Sequence, residues 1–310
     1  MDVRQLTALV AIADHGTFSA AAKALFTVQS NVSSHVARLE KELSATLVDR
    51  VNGGLTDAGV RVVERARRVL RELDDITSDL AQYDGSVVGD VRLGMLGTTA
   101  RWLLPRLLAE AAVTYPDVHP IVAEGSTSVL IPALLSGQYS AAILHLPVDA
   151  PELTIEPLFA EELMLLTGPE HPLGERDEIG LADLADHRLL IPPPGAALRR
   201  VLDRAARSVG VQLKAQAEID GVRLLATLAV DGYGAAIVPA TAVPQTQARR
   251  FRTIRVPELP PRVVALAYHR RPPPSAAAEA LFEVLRACLP DLALEQHGVR
   301  LGSAAFPLMR

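Results

Sequence analysis

Gln29, Ser30, Ser33, Ser34, Arg38 and Lys41 lie close together in the chain. They are short hydrogen-bonding side chains followed by cations, and their spacing places them on one side of a helix. That set suits a helix laid in the major groove of DNA, where amides and hydroxyls reach base edges and cations meet phosphates. The local charge agrees. Residues 15–39 contain no Asp or Glu but do contain Lys23, Arg38, His15 and His35, a footprint that a phosphate backbone would select. The bland alternative is an ordinary three-helix packing unit whose serines are merely solvated.

Several elements must hold that face in place. Val32, Val36, Leu39 and Leu43, spaced 4, 3 and 4, form an apolar stripe on the far side of the same helix. Thr17 after Gly16 predicts the cap of a preceding helix, with Phe18, Ala21, Ala22 and Leu25 at helical spacing. Leu6, Leu9, Val10 and Ala13 supply a first helix, and Phe26-Thr27-Val28 is a short connection. Asn52-Gly53 between β-like residues predicts a hairpin, a small wing after the helices. Residues 58–83 then read as one long helix. In it Val62, Ala66, Val69, Leu73, Ile76 and Leu80, spaced 4, 3, 4, 3 and 4, make a dimer seam. Arg61, Arg65, Arg67, Arg68 and Arg71 surround its first half; Asp74, Asp75, Asp79 and Asp84 follow. A dimer would set two recognition helices about one DNA turn apart, or a multiple of it, and so predicts an inverted-repeat site. The alternative is an amphipathic helix packed on its own domain.

These residues carry a family resemblance. Gln5-Leu6, Gly16-Thr17-Phe18-Ser19-Ala20-Ala21-Ala22, the run from Gln29 to Glu40, and Leu55-Thr56-Asp57-Ala58-Gly59 resemble the winged helix-turn-helix of LysR-type transcriptional regulators, in order and at the family's spacing. The resemblance is strong over about the first 85 residues and looser to about residue 290. It implies that Gln29, Ser30, Asn31, Ser33, Ser34 and Arg38 touch DNA, with Thr17, Ser19, Lys23, Thr27, His35 and Arg50 completing the DNA-facing set. It also implies a dimer that associates into a tetramer, a double-stranded inverted-repeat promoter site as partner, and RNA polymerase as a candidate further partner. The sequence departs from the family in three places. Val28 stands where a capping serine is usual, leaving Thr27 as the cap or the helix start weaker by about 1 kcal/mol. Ser30 replaces a common proline, and the wing is short, with Arg50 as its cation.

Beyond residue 90, apolar β-like runs at 91–96, 119–124, 141–146, 163–167, 188–191, 235–238 and 263–268 alternate with helical patterns at 101–114, 129–136, 198–208 and 222–230. That alternation argues for parallel α/β sheets. The resemblance implies the two-lobed fold of periplasmic solute-binding proteins, with a small-molecule effector in the cleft. The expected organisation is a winged helix-turn-helix at 1–58, a linker helix at 59–89, an effector domain at 90–290 and a tail at 291–310 with little periodic signal. Lobe 1 would hold about 90–160 and 266–290, and lobe 2 about 161–265. Ligands in open α/β sheets sit beyond strand ends at helix N-termini. Thr98 and Thr99, Ser126 and Thr127, and Pro193 and Pro194 stand at such points, and His145 at a strand end would add a titratable donor. Hydroxyls and free N–H groups there favour a small anion, often a carboxylate. Each alone is as readily a plain helix cap; their convergence on one cleft is what the resemblance adds.

The composition narrows the alternatives. The 310 residues carry 31 Lys+Arg against 36 Asp+Glu, a net charge of -5, so DNA can touch only a small basic part of the surface. The only cysteine, Cys288, forms no internal disulfide; its apolar helix ending at Pro290 predicts a buried, inert thiol. There is no Walker loop, no His-Glu-x-x-His, no Gly-x-Ser-x-Gly and no Cys-x-x-Cys, and the eight histidines are scattered, so neither a catalytic set nor a metal site is expected. No leader or membrane-spanning segment is read, so the expected location is the cytoplasm. The expectation is a ligand-modulated regulator, activator or repressor, without a resident cofactor. The competing class is a solute-binding or enzyme domain that carries an N-terminal dimerisation arm.

Overall fold

A computed structural model describes residues 1–50, 54–83, 86–244 and 250–302. They divide into two compact units, the first built on Met1–Gly89 and the second on Asp90–Leu134 with the chain from Tyr139 onward.

The first unit holds α1 (Val3–His15), α2 (Phe18–Ala24), α3 (Gln29–Leu43) and α4 (Asp57–Tyr83). Asp2 and Gln5 close a reciprocal capping box at the start of α1. Gly16, at φ 77°, ends that helix in the left-handed region, where a side chain would be strained. Thr17 then accepts the Ala20 N–H at 3.1 Å and caps α2, as its spacing predicts. Leu9, Ile12, Val36, Leu39 and Leu47 are buried, and Ala21 and Ala22 let α2 lie close to its neighbours. Of the predicted stripe on α3, Val32, Val36 and Leu39 are buried, but Leu43 is exposed, because the helix stops there and its last turn faces solvent. The wing begins with Val48 bridged to Leu55 and the Asp49 N–H on the Gly54 carbonyl at 3.0 Å. The Asn52-Gly53 turn lies outside the described residues.

The long helix corrects the seam. Val63 and Ala66 are buried in the core of the first unit, and Val62 packs against it. Val69, Leu73, Ile76 and Leu80 are exposed. The first turns of α4 therefore cover α1, and the open apolar stripe starts at Val69. Gly59 explains how α4 can approach so closely: a Cβ there would collide with the Leu47 carbonyl.

The second unit contains β1 (Gly89–Met95), α5 (Gly97–Thr114), β2 (Val118–Glu124), α6 (Thr127–Leu135), β3 (Ala141–His145), β4 (Leu153–Glu161), β5 (Leu163–Thr167), α7 (Leu181–Leu184), β6 (Arg188–Ile191), α8 (Ala197–Ser208), β7 (Lys214–Glu218), α9 (Val222–Val230), β8 (Ala235–Pro239), β9 (Arg252–Arg255), β10 (Arg262–His269), α10 (Ala276–Glu295) and β11 (Val299–Arg300). One sheet has the order β11-β4-β10-β3-β1-β2, the other β7-β6-β8-β5-β9. Both are mixed rather than parallel: β10 runs antiparallel to β3 and β4, and β5 to β8 and β9. Strands β5 and β10 each adjoin a crossing between the sheets, where the chain has to turn back.

Three boundaries differ from expectation. The return crossing lies between Arg255 and Arg262, so Arg262–His269 belongs entirely to the first sheet. The last helix continues through Pro290 to Glu295, held on by buried Leu289 and Leu292. Beyond it, Val299 and Arg300 pair with Glu161 and Ala160 of β4, so the tail adds an edge strand. Gly59→Ala is expected to destabilise the first unit by about 1–3 kcal/mol through overpacking. The urea midpoint followed by helical circular dichroism measures this; an unchanged midpoint would mean that α4 stands clear of Leu47.

Candidate functional site

The polar face of α3 is open. Gln29, Ser30, Asn31, Ser34 and Arg38 are exposed, as are Thr17, Ser19, Lys23 and Arg50, while Thr27, Ser33 and His35 are half-buried. The helix starts at Val28 with no side-chain cap. Thr27 does not substitute: its hydroxyl accepts the Asn31 side-chain amide at 3.0 Å, which fixes Asn31 instead. Arg50 is committed within the unit, 3.2 Å from Glu40 and over the Phe18 ring at 5.6 Å. Glu40 also accepts the Leu47 and Val48 N–H groups at 2.8 and 3.2 Å, so a carboxylate at the end of the reading helix sets the first strand of the wing. Phe26, in the turn before α3, is 99% exposed at φ 51°. It went unpredicted, because an exposed aromatic in a left-handed turn has no periodic signal.

In the second unit, a cavity of about 470 Å³ lies between the starts of α5 and α6 on one side and α8 and α9 on the other. Thr98, Ser126, Thr127 and His145 line it, as the strand-end reading predicts. The rest of that set does not. Thr99 is wholly buried behind the wall with an unpartnered hydroxyl. Pro193 and Pro194 are absent from the lining; Pro192 takes their place, followed by Ala196 and Ala197 where α8 begins. The loop turns at Gly195, φ 89°, and carries the two prolines aside. Gly97 has no room for a Cβ because the Glu124 carboxylate fills that space, and Glu124 pairs with Arg223 of α9 at 3.0 Å.

Arg262 is the wall residue that sequence reasoning missed. It follows Pro260-Pro261, a loop signal, and its partner Glu161 is distant in the chain. The Arg262 Nε donates to Glu161 Oε1 at 2.9 Å and its Nη2 to Thr98 Oγ1 at 2.9 Å. The other Glu161 oxygen accepts the Thr241 N–H at 2.9 Å and hydroxyl at 2.8 Å. Glu161 and Arg262 are both buried. Removing one partner of such a pair typically costs about 3–5 kcal/mol, because it leaves a buried charge unpaired.

His145 has the opposite role to the one expected. Its backbone N–H donates to Thr127 Oγ1 at 3.2 Å. Its Nδ1 lies 2.9 Å from the Leu146 carbonyl, which can only accept, so Nδ1 carries the proton. Burial, and then the nearby Arg262 charge, lower its pKa from 6.5 to about 4. At neutral pH the ring is therefore uncharged and Nε2 is an acceptor. The folded state resists protonation that the unfolded chain allows. Stability from this residue is thus full above pH 6.5 and drains away as the pH falls toward about 4. The total is about 3 kcal/mol. Urea titrations over that range are expected to show this acid slope in the wild type and a shallower one in His145→Gln; equal slopes would refute the assignment.

The comparisons with known proteins agree with both halves. Residues 3–68 match the model of the bacterial regulatory helix-turn-helix protein, lysR family, and residues 84–289 match the LysR substrate binding domain. A probable hydrogen peroxide-inducible genes activator of Streptomyces viridosporus is 33% identical over 93% of this chain and 94% of its own length. The DNA-binding transcriptional dual regulator OxyR of Escherichia coli K12 is 29% identical over 93% of this chain and 95% of its own. Among solved structures, a full-length OxyR of Pseudomonas aeruginosa with a cysteine-to-aspartate substitution superposes with a TM-score of 0.75 at 25% identity, covering 96% of this chain and 97% of that one. Full-length CbnR complexed with its target DNA shares the fold, with a TM-score of 0.68 at 22% identity over 93% of this chain and all of that one. Among the described residues, no helix is long and apolar enough to cross a membrane. With its helical first unit matched by the one model and its two-sheet second unit by the other, the chain belongs to the LysR family of DNA-binding transcriptional regulators.

Proposed function

We propose that this regulator reads an inverted-repeat promoter site through α3 as a dimer or tetramer, and that a small carboxylate in the cavity sets its activity. The observation that carries the ligand half is the wall itself: the Thr98, Ser126 and Thr127 hydroxyls gathered at the starts of two helices. Such a set favours an anion. The open stripe Val69, Leu73, Ile76 and Leu80, at 4, 3 and 4 spacing, supports a partner helix from a second copy. The ligand acts by binding two arrangements of the assembly with different affinity. The working compartment is the cytoplasm, and RNA polymerase is the candidate downstream contact.

The relatives' names tie them to hydrogen peroxide. In this chain one cysteine closes no intrachain disulfide. Cys288 is buried in α10, and burial raises its thiol pKa, which disfavours the reactive thiolate. Ligand occupancy rather than thiol oxidation is therefore the proposed signal. Cys288→Ser is expected to leave DNA binding unchanged with and without peroxide treatment; a peroxide response in the wild type that the variant lacks would refute this.

Fluorescence anisotropy with the protein's own upstream DNA at moderate salt tests the DNA half. Arg38→Ala is expected to weaken binding to all sequences alike and to lower the salt slope by about 1. Gln29→Ala is expected to relax discrimination at one base position by about 1–3 kcal/mol. An equal loss on specific and random DNA for Gln29→Ala would exclude its base-reading role.

A further inference from the structure

The cavity wall has a fixed donor and acceptor pattern. Thr98 Oγ1 already accepts from Arg262, and Thr127 Oγ1 already accepts the His145 N–H. Each hydroxyl thus has its hydrogen left to give to an acceptor in the cavity they line. His145 is the complement. With Nδ1 tied to the Leu146 carbonyl, Nε2 offers a lone pair, and nothing in the described structure partners it, although the residue is only 5% exposed. Leaving a buried acceptor without a partner is unfavourable, because its lost contact with water is not replaced. A plain carboxylate has only acceptors; it would satisfy the two hydroxyls and leave Nε2 unpaired.

We infer that the cavity is built for a hydroxy-carboxylate, whose carboxylate accepts from Thr98 and Thr127 while its hydroxyl donates to His145 Nε2. This rests on reading the cavity as the effector site. A hydroxyl suits the position better than an ammonium, because the Arg262 guanidinium stands close enough to His145 to disfavour a second positive charge there. The remaining wall sets Leu96, Val129, Leu198 and Leu224 beside Asp220 and the Glu124–Arg223 pair, so the body of the ligand meets apolar side chains next to a charged rim.

The test is calorimetric titration of the full-length protein with matched pairs: mandelate and phenylacetate, 3-phenyllactate and 3-phenylpropionate, 2-hydroxyisocaproate and 4-methylvalerate. The hydroxy member of at least one pair is expected to bind about tenfold tighter than its deoxy partner, one hydrogen bond's difference. His145→Leu is expected to bring that ratio close to one, and Thr127→Val to weaken both members alike. His145→Phe, which keeps a ring in the site, is the second variant should His145→Leu fail to fold. Equal binding within every pair, or a hydroxyl preference that survives replacement of His145, overturns the hydroxy-carboxylate assignment and leaves the cavity reading standing. Binding by no member of any pair overturns both.

Discussion

A single carboxylate governs the geometry of the second unit. Glu161 ends β4, where the chain leaves the first sheet; Arg262 opens β10, where it returns; Thr241 follows β8 of the second sheet. All three meet at the two oxygens of Glu161, so both crossings are tied at one buried point. Desolvating a charge pair is costly, and such pairs persist when hydrogen bonds satisfy their remaining lone pairs and protons. Here the Thr241 N–H and hydroxyl take the second oxygen, and Thr98 takes the remaining reach of Arg262. Thr98 is also a cavity wall. The group that holds the sheets together therefore also orients a hydroxyl of the cavity wall, and any change in how the sheets sit alters that hydroxyl with them.

The first unit shows the same economy with smaller means. Glu40 lies at the far end of the reading helix and binds the backbone of the wing strand and Arg50 together. Gly59 lets α4 approach the same strand from the other side. Helix α3, the wing and the long helix are thus located by contacts around residues 47 and 48. The open polar face of α3 is placed by what its opposite face packs.

Much of this was legible from periodicity, and the failures have physical causes. The helices of the first unit carry strong stripes, and Thr17 and Gly16 punctuate them. An a/d spacing states which residues share a face but not who covers it; Ala66 is covered by its own unit and Leu73 is not. Strand β4 contains Pro157, which breaks the alternation begun by Leu153 to Glu156, and β10 pairs on both sides of it with a register shift there. Strand β7, Lys214–Glu218, is a polar edge without a core pattern. In the cavity, strand-end position found Thr98, Ser126, Thr127 and His145. The missing member was Arg262, whose meaning depends on a carboxylate far away in the chain. The polarity of His145 was also hidden, because a neighbouring carbonyl decides which nitrogen keeps the proton.

The bare start of α3 has a consequence for the free protein. With Val28 offering no side-chain oxygen, the Gln29 and Ser30 amides at the start of α3 have no side-chain cap, while the Asn31 N–H is taken by the Val28 carbonyl at 3.0 Å. A missing cap weakens a helix by about 1 kcal/mol. Those amides, together with the positive end of the helix dipole, are also a ready seat for a phosphate. The same missing side-chain cap at Val28 therefore also leaves the start of α3 available to an anion.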